Sequence, residues 1–392
     1  MRNHKNCFLP IILMILYSIV WAQKPEEQFS FAEVSKSHTY YVTQAELWWK
    51  EIEEDQQDEN SWYQYFRACR NTCATAGWSS DFVNESPFLR QGNDILQLME
   101  KHIPHTFTYN FTMWLNDGFN PEKGSYLLKA YSMNPDFHGI HATMITYTDS
   151  EFDFEMRKAV NQKWFSRNEI SPGLLAYGYN VLSSLEPEAI LFTQHDNDTY
   201  PLWMLQDVKN IRTDVTVINF DMLLVKSYRK KVFERYQIKP LDRLFEESNP
   251  VNLESVLNHI IANYQNTRPF YIGLSVTPAY YEDFIDQFYV IGLTLKYSNN
   301  PLDVIPANKD LFENKFLLDY LKIQLVPDQN QINVDKMNLN YLYYFKILYE
   351  HYLNENQLVE ADKIKELANI IMLHSQDAPW IERFQNTFQT AE

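Results

Sequence analysis

Ala189-Ile-Leu-Phe-Thr193 runs into Gln194-His-Asp-Asn-Asp-Thr199, then Tyr200-Pro-Leu-Trp203, and on to Arg212-Thr-Asp-Val-Thr-Val-Ile-Asn219. An apolar run empties into a polar, acidic loop, and a second β-branched apolar run follows some twenty residues later. The pattern predicts a βαβ unit, with a strand over 189–193, a helix over 200–208 and a second strand over 215–219. The polar residues then sit at the carboxyl end of the first strand, where open α/β sheets bind ligands. His195, Asp196, Asn197, Asp198 and Thr199 are therefore the candidate ligand-binding loop. Asn219 and Asp221 join it, because parallel pairing brings the carboxyl ends of both strands side by side.

Two readings of this loop stand beside each other. In one, Asp196 and Asp198 hold a divalent cation, or accept hydrogen bonds from sugar or nucleotide hydroxyls. In the other, Asp198 or Thr199 caps a helix beginning near Tyr200, with Pro201 in its first turn, while Asp196 and Asn197 form an Asx-turn. Arg212 is expected to pair with Asp198 and pin the loop, or to meet an anionic ligand with its fork of donors. No metal or cofactor beyond that divalent cation is implied.

Working outward, 254–264 reads as an amphipathic helix, 269–276 as a third strand and 287–297 as a fourth. Strands alternating with helices imply a small, mostly parallel α/β sheet covered on both faces, in a domain over 169–300. Helical segments flank it, one over 44–168 and one over 301–392, after a polar, flexible lead-in over 23–43. Apolar stripes at Ala45, Trp48, Trp49 and Ile52, then at Trp62, Tyr65, Phe66 and Cys69, form an αα-hairpin across an acidic turn. Helix pairs return over 122–165 and again over 341–374.

With Trp62 and Tyr352 at aromatic positions, Ala130, Ala361 and Ala368 at small ones, and Pro135 closing a unit, these pairs resemble degenerate tetratricopeptide repeats. The first pair carries Gln56 where a proline is expected, the last has none at its end, and the α/β segment interrupts the series. The resemblance implies grooves for a protein or peptide partner. The runs Asp196-Asn-Asp-Thr-Tyr-Pro-Leu-Trp203 and Ile211-Arg-Thr-Asp-Val215, extended by Pro269-Phe-Tyr-Ile and Phe288-Tyr-Val-Ile-Gly292, resemble something further. They are similar to the soluble portion of a family of membrane proteins of unknown function related to protein O-mannosyltransferases. That family's transferase chemistry lies in a multi-span membrane region for which this sequence offers no segment. The resemblance therefore implies an accessory domain.

The composition narrows the function classes. Of the 392 residues, 45% are hydrophobic and 15% aromatic, which supports a folded core in two or three domains. A formal charge of −17 argues against a nucleic-acid partner. Residues 1–22 read as a signal peptide, with basic Arg2 and Lys5, a 14-residue apolar core from Phe8 to Trp21, and small Ala22 before cleavage. No later stretch is apolar enough for a transmembrane span, so the mature protein is expected to be exported, periplasmic or secreted. Cys69 and Cys73 read as small buried residues, the alternative being a disulfide at a fraying helix end. Metal ligation by His102, His105, His138 and His141 lacks any HExxH or cysteine-pair context. G-x-S-x-G, G-x-G-x-x-G and phosphate-loop motifs are also missing. The tryptophans at helical spacing (Trp48, Trp49, Trp62, Trp114, Trp164, Trp203) read as core, and Trp78 beside Gly77 as the one to suspect of exposure.

The expected function is thus a non-enzymatic exported binding or scaffold protein. The alternatives are a divalent-metal-dependent enzyme acting on carbohydrates or nucleotide sugars, and an accessory subunit of a membrane glycosyltransferase.

Overall fold

The computed structural model describes residues 24–31, 33–241, 251–264, 267–324, 326–328, 330–375 and 377–389. The expected signal peptide lies outside them. The chain forms two compact units, one of residues up to 118 with 125–133, the other of 119–124 with 134 onward.

The first unit is helical: α1 (His38–Glu54), α2 (Glu59–Thr75), α3 (Gly92–His102), α4 (Phe107–Asn116) and most of α5 (Gly124–Met133). Ser37 caps α1 by accepting from the Tyr40 N–H, which starts the helix about two turns before the apolar stripe that betrays it. Asp58 caps α2 through Asn60 and Ser61. The two helices close on Ala45, Trp48, Ile52, Trp62, Tyr65, Phe66 and Cys69, the residues of the predicted stripes. The lead-in is tied to α2, since Gln28 donates its N–H to Gln64 Oε1 at 2.6 Å and Asn71 Nδ2 donates to the Phe29 carbonyl at 2.9 Å. Cys69 and Cys73 are free thiols, the first buried and the second half-buried.

The second unit begins with α6 (Ile140–Glu151), α7 (Phe154–Ser166) and α8 (Pro172–Ser183) and then enters the sheet. There follow β1 (Ile190–Thr193), α9 (Asp196–Lys209), β2 (Thr216–Asn219), α10 (Lys226–Arg235), α11 (Leu253–Asn263), β3 (Phe270–Gly273), β4 (Phe288–Ile291) and β5 (Thr294–Tyr297). The unit ends in α12 (Ile305–Asp310), α13 (Asp319–Lys322), α14 (Gln331–Asn338), α15 (Tyr341–Asn354), α16 (Leu358–His374) and α17 (Ala378–Gln389). The strand order is β2-β1-β3-β5-β4. All four residues of β1 are buried, as its unbroken apolar run requires of a central parallel strand.

The sheet is mixed, which corrects the expectation of a mostly parallel one. β1 pairs in parallel with β2 and β3, but β3–β5 and β5–β4 are antiparallel. The cause lies in 287–297, which folds as a hairpin in place of one strand. Gly292 turns the chain with φ +55, a left-handed value that a β-branched neighbour would not adopt. A Cβ there would meet Ser184 Oγ at 2.2 Å and Phe316 Cζ at 2.8 Å, so both conformation and space demand glycine. α15 and α16 pack as an antiparallel pair, with Ala361 and Ala368 both buried.

Candidate functional site

β1 delivers the chain to the acidic loop, and α9 takes it away sooner than the sequence suggests. The helix begins at Asp196, one turn before Tyr200, so neither Asp198 nor Thr199 is its N-cap. His195 holds that position with φ 65 and ψ 173 and makes no side-chain cap bond. That backbone region is nearly exclusive to glycine and costs of order 1–3 kcal/mol for other residues.

Asp198, in the first turn of α9, reaches back instead. Its Oδ2 accepts from the Gln194 N–H at 3.1 Å and from the Ser275 hydroxyl in a short bond. Ser275 follows β3, and Gly273 at the end of β3 leaves the space, since a Cβ there would lie 2.8 Å from Asp198 Oδ2. Asp198 is 2% exposed. Burial pushes its carboxyl up to about 6, with the Ser275 and Gln194 bonds pulling back.

Thr199 is the buried hub beneath the loop. Its hydroxyl donates to the His195 carbonyl at 2.7 Å, lies 2.8 Å from Thr193 Oγ1, and accepts from Asn219 Nδ2 at 3.1 Å. Asp221, just past β2, ties the top. Its Oδ2 accepts from both the N–H and Nδ1–H of His195 at 2.9 Å, and its Oδ1 from Gln194 Nε2 at 3.3 Å. That bond to Asp221 chiefly raises the His195 imidazole above its ordinary value. Burial works against ionising Asp221, but the His195 bonds outweigh it and hold the carboxyl low. Gln194 Oε1 in turn accepts from the Thr277 N–H at 2.9 Å.

The fold therefore gathers His195, Asp198, Thr199, Asn219 and Asp221 at the carboxyl ends of β1 and β2, as parallel pairing dictates. It adds Gln194, Ser275 and Thr277, which sequence reasoning missed. Ser275 and Thr277 lie some eighty residues away in sequence and carry no local signal; Gln194 is adjacent, but its glutamine reads as ordinary loop. Asp196 is exposed and Asn197 half-buried, and among the described residues neither side chain forms the expected Asx-turn bond to backbone.

Arg212 does not meet Asp198. It lies before β2, at the opposite end of the strand. There its guanidinium grips Asp214 at 2.9 Å twice and donates to the carbonyls of Leu182, Leu185 and Glu186. This pairing drives the Asp214 carboxyl down to about 2, chiefly through the Arg212 hydrogen bonds. The parallel topology forbids the predicted ion pair, because residues entering β2 and residues leaving β1 stand at opposite ends of the two strands.

Asp198 points inward while Asp196 faces solvent. Among the described residues no group of three or more histidine, cysteine, aspartate or glutamate side chains is placed to hold a metal ion. His102 stacks on Trp62 at 6.0 Å. The Nδ1 atoms of His138 and His141 lie 3.8 and 3.7 Å from the Glu169 carboxylate, and burial lowers the His141 pKa. Trp48, Trp62, Trp114, Trp164 and Trp203 are core. Trp78 is 62% exposed, with the Arg70 guanidinium 5.5 Å from its ring. No helix among the described residues is long and apolar enough to cross a membrane.

No curated protein and no solved structure matches the chain. Residues 174–255, which take in β1, α9 and β2 with the whole loop from Gln194 to Asp221, match the family model of TMEM260-associated domain 2, and this segment fits a TMEM260-related family.

Proposed function

We propose that the chain is an exported, non-enzymatic binding protein whose α/β unit is an accessory domain of the kind found in membrane proteins related to protein O-mannosyltransferases. Tetratricopeptide-like helix pairs such as α1–α2 and α15–α16 contact its protein or peptide partner. The acidic loop serves the fold, fastening the carboxyl ends of β1, β2 and β3 to one another.

One observation carries this reading. Two carboxylates of the loop region are engaged by protein donors: Asp198 by Gln194 and Ser275, Asp221 by His195 and Gln194. The Oδ2 atoms of Asp198 and Asp221 already accept two bonds each, and the Asp198 carboxyl is buried, so a cation or a sugar hydroxyl can take these oxygens only by breaking protein contacts. The family match over 174–255 supports the accessory role of the same segment.

A second reading rests on His195. Its Nδ1 bond to Asp221 fixes the tautomer and leaves Nε2 on a side chain that is 71% exposed, held by a strained backbone at the strand ends. Such a dyad would serve a general base acting on a carbohydrate substrate.

Thermal melting of the mature protein separates the two. The binding reading expects no shift with Mg²⁺, Mn²⁺, Ca²⁺ or nucleotide sugars. A saturable rise of several degrees that disappears in Asp196→Asn/Asp198→Asn or in His195→Ala would overturn it.

A further inference from the structure

β2 ends the sheet, and its flank away from β1 opens on a cavity of about 310 Å³. The cavity shares no side chain with the cluster from Gln194 to Thr199, and its chemistry is different.

Its floor is a buried ionic clamp. Arg157 donates through Nε and Nη2 to the two oxygens of Asp207 at 2.9 and 3.0 Å, and through Nη1 to Asp149 Oδ1 at 2.6 Å. Asn161 Nδ2 adds a bond to Asp207 Oδ2, and the Tyr228 hydroxyl one to Asp149 Oδ2. Asp207 Oδ1 and both oxygens of Asp149 thus accept a single bond each, and each keeps a lone pair for a hydroxyl donor. The clamp sets one guanidinium against two carboxylates, a formal charge of −1, and its singly bonded oxygens are placed to accept from hydroxyls.

The side wall is aromatic. Phe152 and Phe154 stack at 5.6 Å, with Phe152 held in the left-handed region at φ 59. The exposed Arg235 guanidinium lies 5.3 and 5.4 Å from their ring centroids. Arg235 and Lys158 both line the cavity, and among the described residues neither forms an ion pair. Glu155 on the same rim offsets one of these charges, so the rim keeps one cation in excess while the clamp carries the formal −1 that balances it.

Volume restricts the ligand further, because ~300 Å³ is the lower end of small-molecule pockets and excludes a nucleotide sugar or a folded peptide. We propose that this cavity binds a hydroxylated organic acid of single-sugar size, such as a hexuronate. The acid group meets Arg235 and Lys158, the hydroxyls donate to Asp149 and Asp207, and the ring's C–H face lies along the aromatic wall.

Isothermal titration of the mature chain with glucuronate, glucose and inorganic phosphate tests the assignment, alongside Arg235→Gln. Arg235 is exposed in the last turn of α10, so this variant is expected to melt as the wild type does. Glucuronate is expected to bind saturably, with at least tenfold weaker binding for glucose and at least tenfold weaker glucuronate binding by Arg235→Gln. Absence of saturable glucuronate binding, equal affinity in Arg235→Gln, glucose binding as well as glucuronate, or phosphate binding as tightly as glucuronate would each overturn it. The proposal stands apart from the role of the acidic loop, since either can fail while the other holds.

Discussion

Replacing Arg157 with methionine strands two buried carboxylates, and the size of the loss follows from the geometry. Arg157, Asp149 and Asp207 have side chains no more than 10% exposed, and the guanidinium makes three of the bonds that hold them. Removing one partner of such a buried network costs ~3–5 kcal/mol, because the remaining charge has lost its compensation but not its burial. A ceiling comes from proton uptake. Each stranded carboxylate can neutralise itself at pH 7 for ~4 kcal/mol, at ~1.36 kcal/mol per pH unit, so the pair sets a ceiling of ~8 kcal/mol. The Arg157→Met loss should therefore be ~3–5 kcal/mol at pH 7, below that ceiling, and shrink by ~1.4 kcal/mol at pH 6 for each carboxylate that takes up a proton. Urea unfolding followed by far-ultraviolet circular dichroism measures both values. Adding Asp149→Asn and Asp207→Asn to Arg157→Met should restore at least half of the loss, since the charges themselves are then gone. A loss below 1 kcal/mol, or one that does not change between pH 7 and 6, would refute the reasoning.

Further outcomes follow from the loop and the hairpin. Asp198 titrates near 6 when folded, above the ~3.9 of an unfolded aspartate, so the native state binds the extra proton. Its contribution to stability is then most favourable below pH 4 and declines by ~3 kcal/mol as pH rises through 6. Asp198→Asn, which can keep the Gln194 bond, should remove that slope when stability curves of the two proteins are subtracted; identical slopes would count against a buried carboxylate. His195 should titrate above the ordinary histidine range by proton NMR, with Nδ1 protonated, and fall back in Asp221→Asn. The pair's stabilisation is present between the two values: it is lost as pH rises through the raised His195 value and lost as pH falls through the depressed Asp221 value. Gly292→Ala should destabilise by more than the ~1 kcal/mol of a simple left-handed strain, because its Cβ overlaps Ser184 and Phe316. A neutral result by thermal melting would mean that the β4–β5 turn is placed otherwise.

The βαβ unit was legible because β1 and β2 are short, have apolar and β-branched centres and are bounded by polar turns, and the stripes of α1, α2, α15 and α16 were legible for similar reasons. The helix starts were not. Ser37 and Asp58 announce caps at α1 and α2, but α9 starts at a strained histidine with no capping side chain, which no propensity argument anticipates. The hairpin at 288–297 looked like one strand because a lone glycine among β-branched residues reads equally as a bulge. The site residues His195, Asp198, Thr199, Asn219 and Asp221 came together as parallel topology predicts. Arg212 failed for the same topological reason: it precedes β2, so parallel pairing puts it at the amino end of the strands, away from Asp198 at the carboxyl end. Ser275 and Thr277 had no local signal at all, and Gln194, although next to the predicted loop, looked like ordinary loop.

Manganese binding tests the account of the loop most directly. Electron paramagnetic resonance of free Mn²⁺ titrated with the protein counts sites without requiring a substrate or a partner. With Asp198 and Asp221 engaged by Gln194, Ser275 and His195, the account predicts no saturable site in the micromolar range in either the wild type or Asp196→Asn/Asp198→Asn. One saturable site in the wild type that is lost in the double variant would contradict it.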